Sequence, residues 1–120
     1  MENLKNNHRI LSFKYALTGI ISALKEEPNL KFHFIIALLV IILSFILNLS
    51  RPDWIIVIFL IGFVVSVELT NTAIEAVVDK FTEKEHPGAK LAKDISAGAV
   101  LVAAITAGIL GIIIFIPYFK

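Results

Sequence analysis

The apolar positions of this chain fall into three blocks. The first runs from Phe34 to Leu49 with only Ser44 and Asn48 as polar members. The second runs from Trp54 to Val67, and the third from Ile95 to Phe119 without a single charge. A bilayer core of about 30 Å takes about 20 helical residues to cross. The third block is long enough by itself, and the first becomes so with its flanks. The second falls short unless its helix continues past Glu68, and nothing between Glu68 and Phe81 breaks a helix. The pattern therefore predicts membrane helices over about 32–49, 54–81 and 92–119. Arg51-Pro52-Asp53 reads as a tight turn before the second of these. His86-Pro87-Gly88 reads as the end of the second helix and the opening of a loop to the third.

The segment 1–31 has a different pattern. Lys5, Arg9, Lys14, Lys25 and Lys31 are scattered among Ile10, Phe13, Leu17, Ile20, Ile21 and Leu24, which recur at helical spacing. That is an amphipathic helix suited to lying on a membrane surface. A signal peptide is the rival reading, but Lys14 interrupts the apolar run and no small-residue cleavage site follows it. The expectation is thus an all-α membrane protein: one membrane domain over 1–120, with an N-terminal surface helix and three transmembrane helices.

Composition agrees with that pattern and removes several function classes. Hydrophobic residues make up 58% of the 120 positions and charged residues 18%, with a mean hydropathy of +0.86. Soluble domains run about 45–50% apolar and 25% charged, so a soluble enzyme or a disordered tail is excluded. The absence of cysteine removes disulfides, thiol nucleophiles and cysteine zinc sites. A net charge of +1 gives no reason to expect a nucleic-acid partner. The placement of the charges is more informative. Basic residues crowd 1–31 and the second inter-helix segment (Lys80, Lys84, Lys90, Lys93), whereas Arg51 alone lies in the first. The positive-inside rule then places the N-terminus and the second loop in the cytoplasm, and the 50–53 turn and C-terminus outside. Trp54 and Tyr118 fall at the outer interface, as an aromatic belt requires.

A few residues do not belong in lipid. Glu68, Asn71 and Glu75 stand at i, i+3 and i+7, one stripe down one helix face, and Asp79 extends it. A carboxylate inside a bilayer costs roughly 2.5–3.5 kcal/mol on insertion scales and marks a functional site by default. Glu75 and Asp79 are also compatible with solvated interfacial positions. Glu68, one residue beyond the second apolar block, is not. Topology brings Glu27, Glu75, Lys93 and Asp94 to the same membrane boundary. Carboxylates gathered with a lysine suit a Mg²⁺-phosphate site, the hard oxygens holding the metal and the ammonium neutralising phosphate. Lys93 could equally be a snorkelling anchor. No glycine opens a GxxxxGK phosphate loop, so any nucleotide has to be held by side chains and metal. His33 and His86 are possible metal ligands, but lone histidines in such settings are more often surface residues. In the third span Ala99, Ala103, Ala107 and Gly111 repeat every four residues, a spacing that lets helices approach closely in lipid.

The run from Glu68 to Asp79, ELTNTAIEAVVD, resembles the ELxNTAIExxVD signature of the prokaryotic diacylglycerol kinase family. Ala92-Lys93-Asp94, followed by Ser96-Ala97-Gly98-Ala99-Val100, resembles that family's AKD segment. The likeness extends over essentially the whole chain. It implies a multi-pass homotrimer of the bacterial inner (cytoplasmic) membrane that moves the γ-phosphate of MgATP to a lipid hydroxyl, with active sites shared between subunits. Carried over by motif, Glu68 would be the general base and Asn71 its support. Glu27 and Glu75 would hold Mg²⁺ and ATP, and Lys93 with Asp94 would bind the nucleotide. Lys84, Glu85 and His86 would line the nucleotide pocket, with Tyr15 near it from the surface helix. One branch of the family phosphorylates diacylglycerol and another undecaprenol. Glu27 to His33 resembles the ExNFxxH form of the undecaprenol branch, as do the segments 85–90, 53–56 and 112–117. Thr70 stands where leucine or another apolar residue is usual and is expected against a neighbouring helix, and Leu30 replaces the usual phenylalanine. A small multidrug transporter is the rival from another class, but it has four spans and a carboxylate in the first. A pore-forming or structural peptide leaves the stripe unexplained.

Overall fold

The computed structural model describes residues 2–82 and 85–120, and its regular structure is helical. Four helices follow one another: α1 (Glu2–Glu26), α2 (Pro28–Ile46), α3 (Arg51–Phe81) and α4 (Pro87–Phe115), with a 3₁₀ turn over Ile116–Phe119. Three stretches, Pro28–Ile46, Arg51–Phe81 and Pro87–Phe119, are long and apolar enough to cross a membrane. At 1.5 Å per residue α3 is about 46 Å long, well beyond a hydrocarbon core of about 30 Å. Its surplus is the stretch that carries the polar stripe.

The helix starts differ from the expected ones, for one recurring reason. Each membrane helix begins at or next to a proline: Pro28, Pro52 and Pro87. Proline fits the first helical turn, where its missing N–H would have no partner. Arg51-Pro52-Asp53 is therefore not the turn but the first turn of α3, capped by Ser50, whose Oγ accepts from Asp53 N at 3.4 Å. The turn itself lies just before it. Asn48 has φ of 52°, Asn48 N donates to Phe45 O at 3.2 Å, and Leu49 N donates to Ser44 O at 3.2 Å. This is a Schellman ending with asparagine as the left-handed residue, and it buries Leu49. Likewise α2 starts at Pro28 rather than 32, and α4 at Pro87 rather than 92, so the Lys93-Asp94 pair lies within a helix.

Burial is inverted relative to a water-soluble domain. Ile35, Leu38, Phe59, Ile105, Ile113 and many other large apolar side chains point outward, while Ser44, Glu68, Asn71 and Ser96 are buried. Exposed apolar surface on this scale together with buried polar groups is the informative combination, and it fits lipid as the solvent. The buried apolar cluster is small: Leu49, Val57 and Ile114, with Val40, Trp54, Ile61 and Phe115 packed against it. It sits where α2 ends, α3 begins and α4 ends. Of the small-residue stripe on α4, Ala103 is 1% exposed, whereas Gly111 has nothing near the position of a Cβ. Close packing inside the chain thus uses the middle of the stripe. The apolar residues of α1 do not share one sheltered face either; Ile10, Phe13, Leu17 and Ile21 are exposed, and so are Leu11 and Tyr15.

Candidate active site

The polar stripe on α3 forms a gradient. Glu68 is 2% exposed and Asn71 7%; Glu75 is half-buried and Asp79 is exposed. The helix period places all four on one side, and α4 packs across that side, so the end nearest the apolar block is covered and the far end emerges. Asn71 is held from both directions. Ser96 on α4 donates its hydroxyl to Asn71 Oδ1 at 2.6 Å, and Asn71 Nδ2 donates to Glu75 Oε1 at 3.4 Å. This chain of contacts crosses from α4 to α3 and runs along the stripe.

Glu68 is differently placed. Among the described residues, the basic side chain within ion-pair range of its carboxylate is the His33 imidazole on α2, with Nε2 at 3.7 Å from Oε2. Glu75 and Glu27 lie near enough to act on it electrostatically. Two helices, α2 and α3, therefore contribute to its surroundings, with Glu27 coming from the α1–α2 joint. Pro28 favours an extended conformation for the residue before it, and Glu27 has φ of −108° and ψ of 108°. An apolar cleft of about 590 Å³ between α2, α3 and α4 reaches His33 and is lined by Phe32, Ile36, Val64, Ala104 and Ala107 among others.

The lysines of α4 are engaged. Lys93 Nζ donates to Asp79 Oδ1 at 2.8 Å, bridging α4 to the exposed end of the stripe, and Lys90 Nζ donates to Asp94 Oδ2 at 2.7 Å along α4 itself. Asp94 thus shares the boundary level with the stripe but pairs on its own helix. His86 caps α4: its Nδ1 accepts from Gly88 N at 3.0 Å and Ala89 N at 3.4 Å. A Cβ on residue 88 would stand 3.1 Å from the His86 ring, so glycine there makes room for the cap. Glu85 is exposed beside it, Tyr15 is 69% exposed on α1, and Lys84 lies outside the described residues. Thr70, expected against a neighbouring helix, is exposed, with its hydroxyl donated back to Ser66 O at 2.8 Å.

Three partnerships are not legible in the sequence. The pattern places Ser96 in a small-residue run, leaves His33 as a possible metal ligand or a surface histidine, and sets Asp79 at the end of the stripe; the structure adds their partners Asn71, Glu68 and Lys93. The signal for His33 was present, since it stands six residues after Glu27 in a motif with both ends polar. No cluster of three metal-binding side chains occurs among the described residues. Glu27 and Glu75 each act electrostatically on Glu68, and carboxylates are the hard oxygen donors that Mg²⁺ commonly takes, one or two at a time, beside water and phosphate.

The residue pattern has matching counterparts. The family described as prokaryotic diacylglycerol kinase matches residues 14–115. An undecaprenol kinase of Bacillus subtilis (strain 168) is 46% identical over 92% of this chain and 90% of its own length. A diacylglycerol kinase of Synechocystis sp. is 37% identical over 90% of this chain and 62% of its own length. One from Haemophilus influenzae is 34% identical over 90% and 93% respectively.

Proposed function

The chain belongs to the prokaryotic diacylglycerol kinase family and is a lipid kinase, and from that premise we propose that it transfers the γ-phosphate of MgATP to undecaprenol, giving undecaprenyl phosphate. The observation that carries the mechanism is the position of Glu68, a buried carboxylate at the head of a polar stripe, 3.7 Å from a histidine that lines an apolar cleft. A lipid alcohol reaching the stripe from the lipid side meets Glu68 first, and a nucleotide arriving from water meets Asp79, Lys93 and Glu75.

Phosphoryl transfer is mostly positioning and charge neutralisation. Glu68 accepts the proton of the lipid hydroxyl as its oxygen bonds to the γ-phosphorus. Asn71, fixed by Ser96, keeps the stripe in register. Glu27 and Glu75 would hold Mg²⁺, which would supply neutralisation of the phosphate charge. Lys93 exchanges Asp79 for phosphate oxygens, and Asp94, Lys84, Glu85, His86 and Tyr15 border the nucleotide. The 46% identity to a kinase named for undecaprenol, and the Glu27–His33 motif, favour that substrate. The relatives named for diacylglycerol favour the alternative acceptor. The proposal includes a homotrimer in the bacterial cytoplasmic membrane, with α1 on the cytoplasmic surface and the C-terminus outside.

The test is a competition. Purified protein in mixed micelles, given labelled ATP, Mg²⁺ and equal amounts of undecaprenol and diacylglycerol, is expected to label undecaprenol preferentially. Labelling of diacylglycerol alone would reassign the substrate.

A further inference from the structure

The His33–Glu68 contact has no part in the roles assigned to Asn71, Glu75 and Lys93. His33 belongs to α2, its side chain is 17% exposed, and its Nε2 points at a carboxylate that is 3% exposed. The ring sits edge-on to Phe32 at a centroid distance of 5.9 Å, and both residues line the apolar cleft. A histidine merely filling space has no need to aim a nitrogen at a buried acid on another helix.

The charged groups around it narrow its role. From α3 it faces Glu68, with Glu75 further along the same side and Glu27 at the α1–α2 joint. From α4, Lys93 is engaged by Asp79 and Lys90 by Asp94. Among the described residues, His33 is thus the group placed to exchange a proton with Glu68. The separation of 3.7 Å exceeds a hydrogen bond, and catalytic contacts are often long before substrate binds.

We propose that His33 is a positioning residue for phosphoryl transfer, holding Glu68 in place and relieving it of the proton it takes from the lipid alcohol. This rests on Glu68 acting as the base. The lipid oxygen bonds to the γ-phosphorus while the bond from that phosphorus to the β,γ-bridging oxygen breaks, and ADP leaves with the electron pair. The hydroxyl proton passes to the Glu68 carboxylate, then to the lone pair of neutral His33 Nε2, and from the imidazolium to water. The path follows the exposure: the acid is shielded, and the imidazole is the more open of the two. Every turnover leaves one proton on Glu68 that has to depart before the next, and His33 provides the way out.

The experiment compares wild type, His33→Gln, His33→Ala and Glu68→Gln as full-length proteins in micelles with MgATP and a lipid alcohol. Glutamine can donate a hydrogen bond to Glu68 but cannot carry a proton. The expected result for His33→Gln is a loss of about 100-fold in kcat, within the range for general acid–base groups, with the KM for ATP unchanged. Added imidazole is expected to restore much of the rate of His33→Ala. Wild-type kcat in His33→Gln, or no response of His33→Ala to imidazole, would overturn the relay. Glu68→Gln separates the two levels. If it retains turnover, the base assignment falls and the relay with it; if it is inactive beside a fully active His33→Gln, the relay alone falls.

Discussion

The two ends of α3 handle polar groups in opposite ways. At its start, Tyr118 from the 3₁₀ turn donates its hydroxyl to Asp53 Oδ2 at 2.6 Å and accepts from Ser50 N at 2.9 Å. Ser50 in turn caps Asp53. Beneath this lies the apolar cluster of Leu49, Val57 and Ile114, so the polar groups close on one another around a core. Beyond the middle of the helix, Glu68 is more deeply buried than Asp53, yet among the described residues its basic neighbour is one imidazole, His33, at 3.7 Å. Burying a charge without full pairing is costly. A closed set of partners reads as architecture, and a buried group left with bonding capacity reads as a place kept for substrate. Tyr118, expected only as an interfacial aromatic, belongs to the first kind.

That contrast can be broken by substitution at each end. The largest effect is expected from Glu68→Gln, which keeps the shape but removes the base. Turnover should fall by about 10²–10⁴-fold, while circular dichroism and thermal melting in detergent stay as in wild type. A stable but fully active variant would erase the distinction between the ends. Next comes Tyr118→Phe, which removes the hydroxyl shared by Asp53 and Ser50. Hydrogen bonds to charged groups contribute about 1.5–3 kcal/mol, so the melting midpoint should drop by several degrees with kcat within twofold of wild type. A Tyr118→Phe protein of normal stability but low activity would invert the assignment. The smallest effect is expected from Ser96→Ala, which sharpens the comparison because it is a structural bond inside the functional end. Loss of the 2.6 Å bond to Asn71 should cost about 1 kcal/mol and lower kcat severalfold, through a loosened Asn71. Measuring stability and kcat on the same preparation checks both.

Much of this was legible because lipid imposes simple rules. Three apolar blocks became three helices, and the i, i+3, i+7 spacing of Glu68, Asn71 and Glu75 became one face. Helix starts were less legible. Proline was taken as a sign of turn or loop at positions 52 and 87, where it in fact opens α3 and α4, and at Glu27-Pro28 the membrane helix begins earlier than hydropathy suggests. Hydropathy reports where grease begins, whereas the helix begins where its first N–H groups find caps. The partner residues were less legible still. Ser96 lies 25 positions from Asn71, and no local pattern ties a serine in a small-residue run to an asparagine on another helix.

The amino-acid order by itself determined the solvent, the number of spans and the face on which the carboxylates lie, since each follows from composition and from a period of 3.6 residues. Its motifs also identified the family. Tertiary structure alone decided which partners those residues have. It set His33 against Glu68, Ser96 on Asn71, Asp79 on Lys93 and Tyr118 on Asp53. The reason is geometric. A helix fixes the angle of a side chain about its own axis, but the register of one helix against another is set by the packing of all of them together.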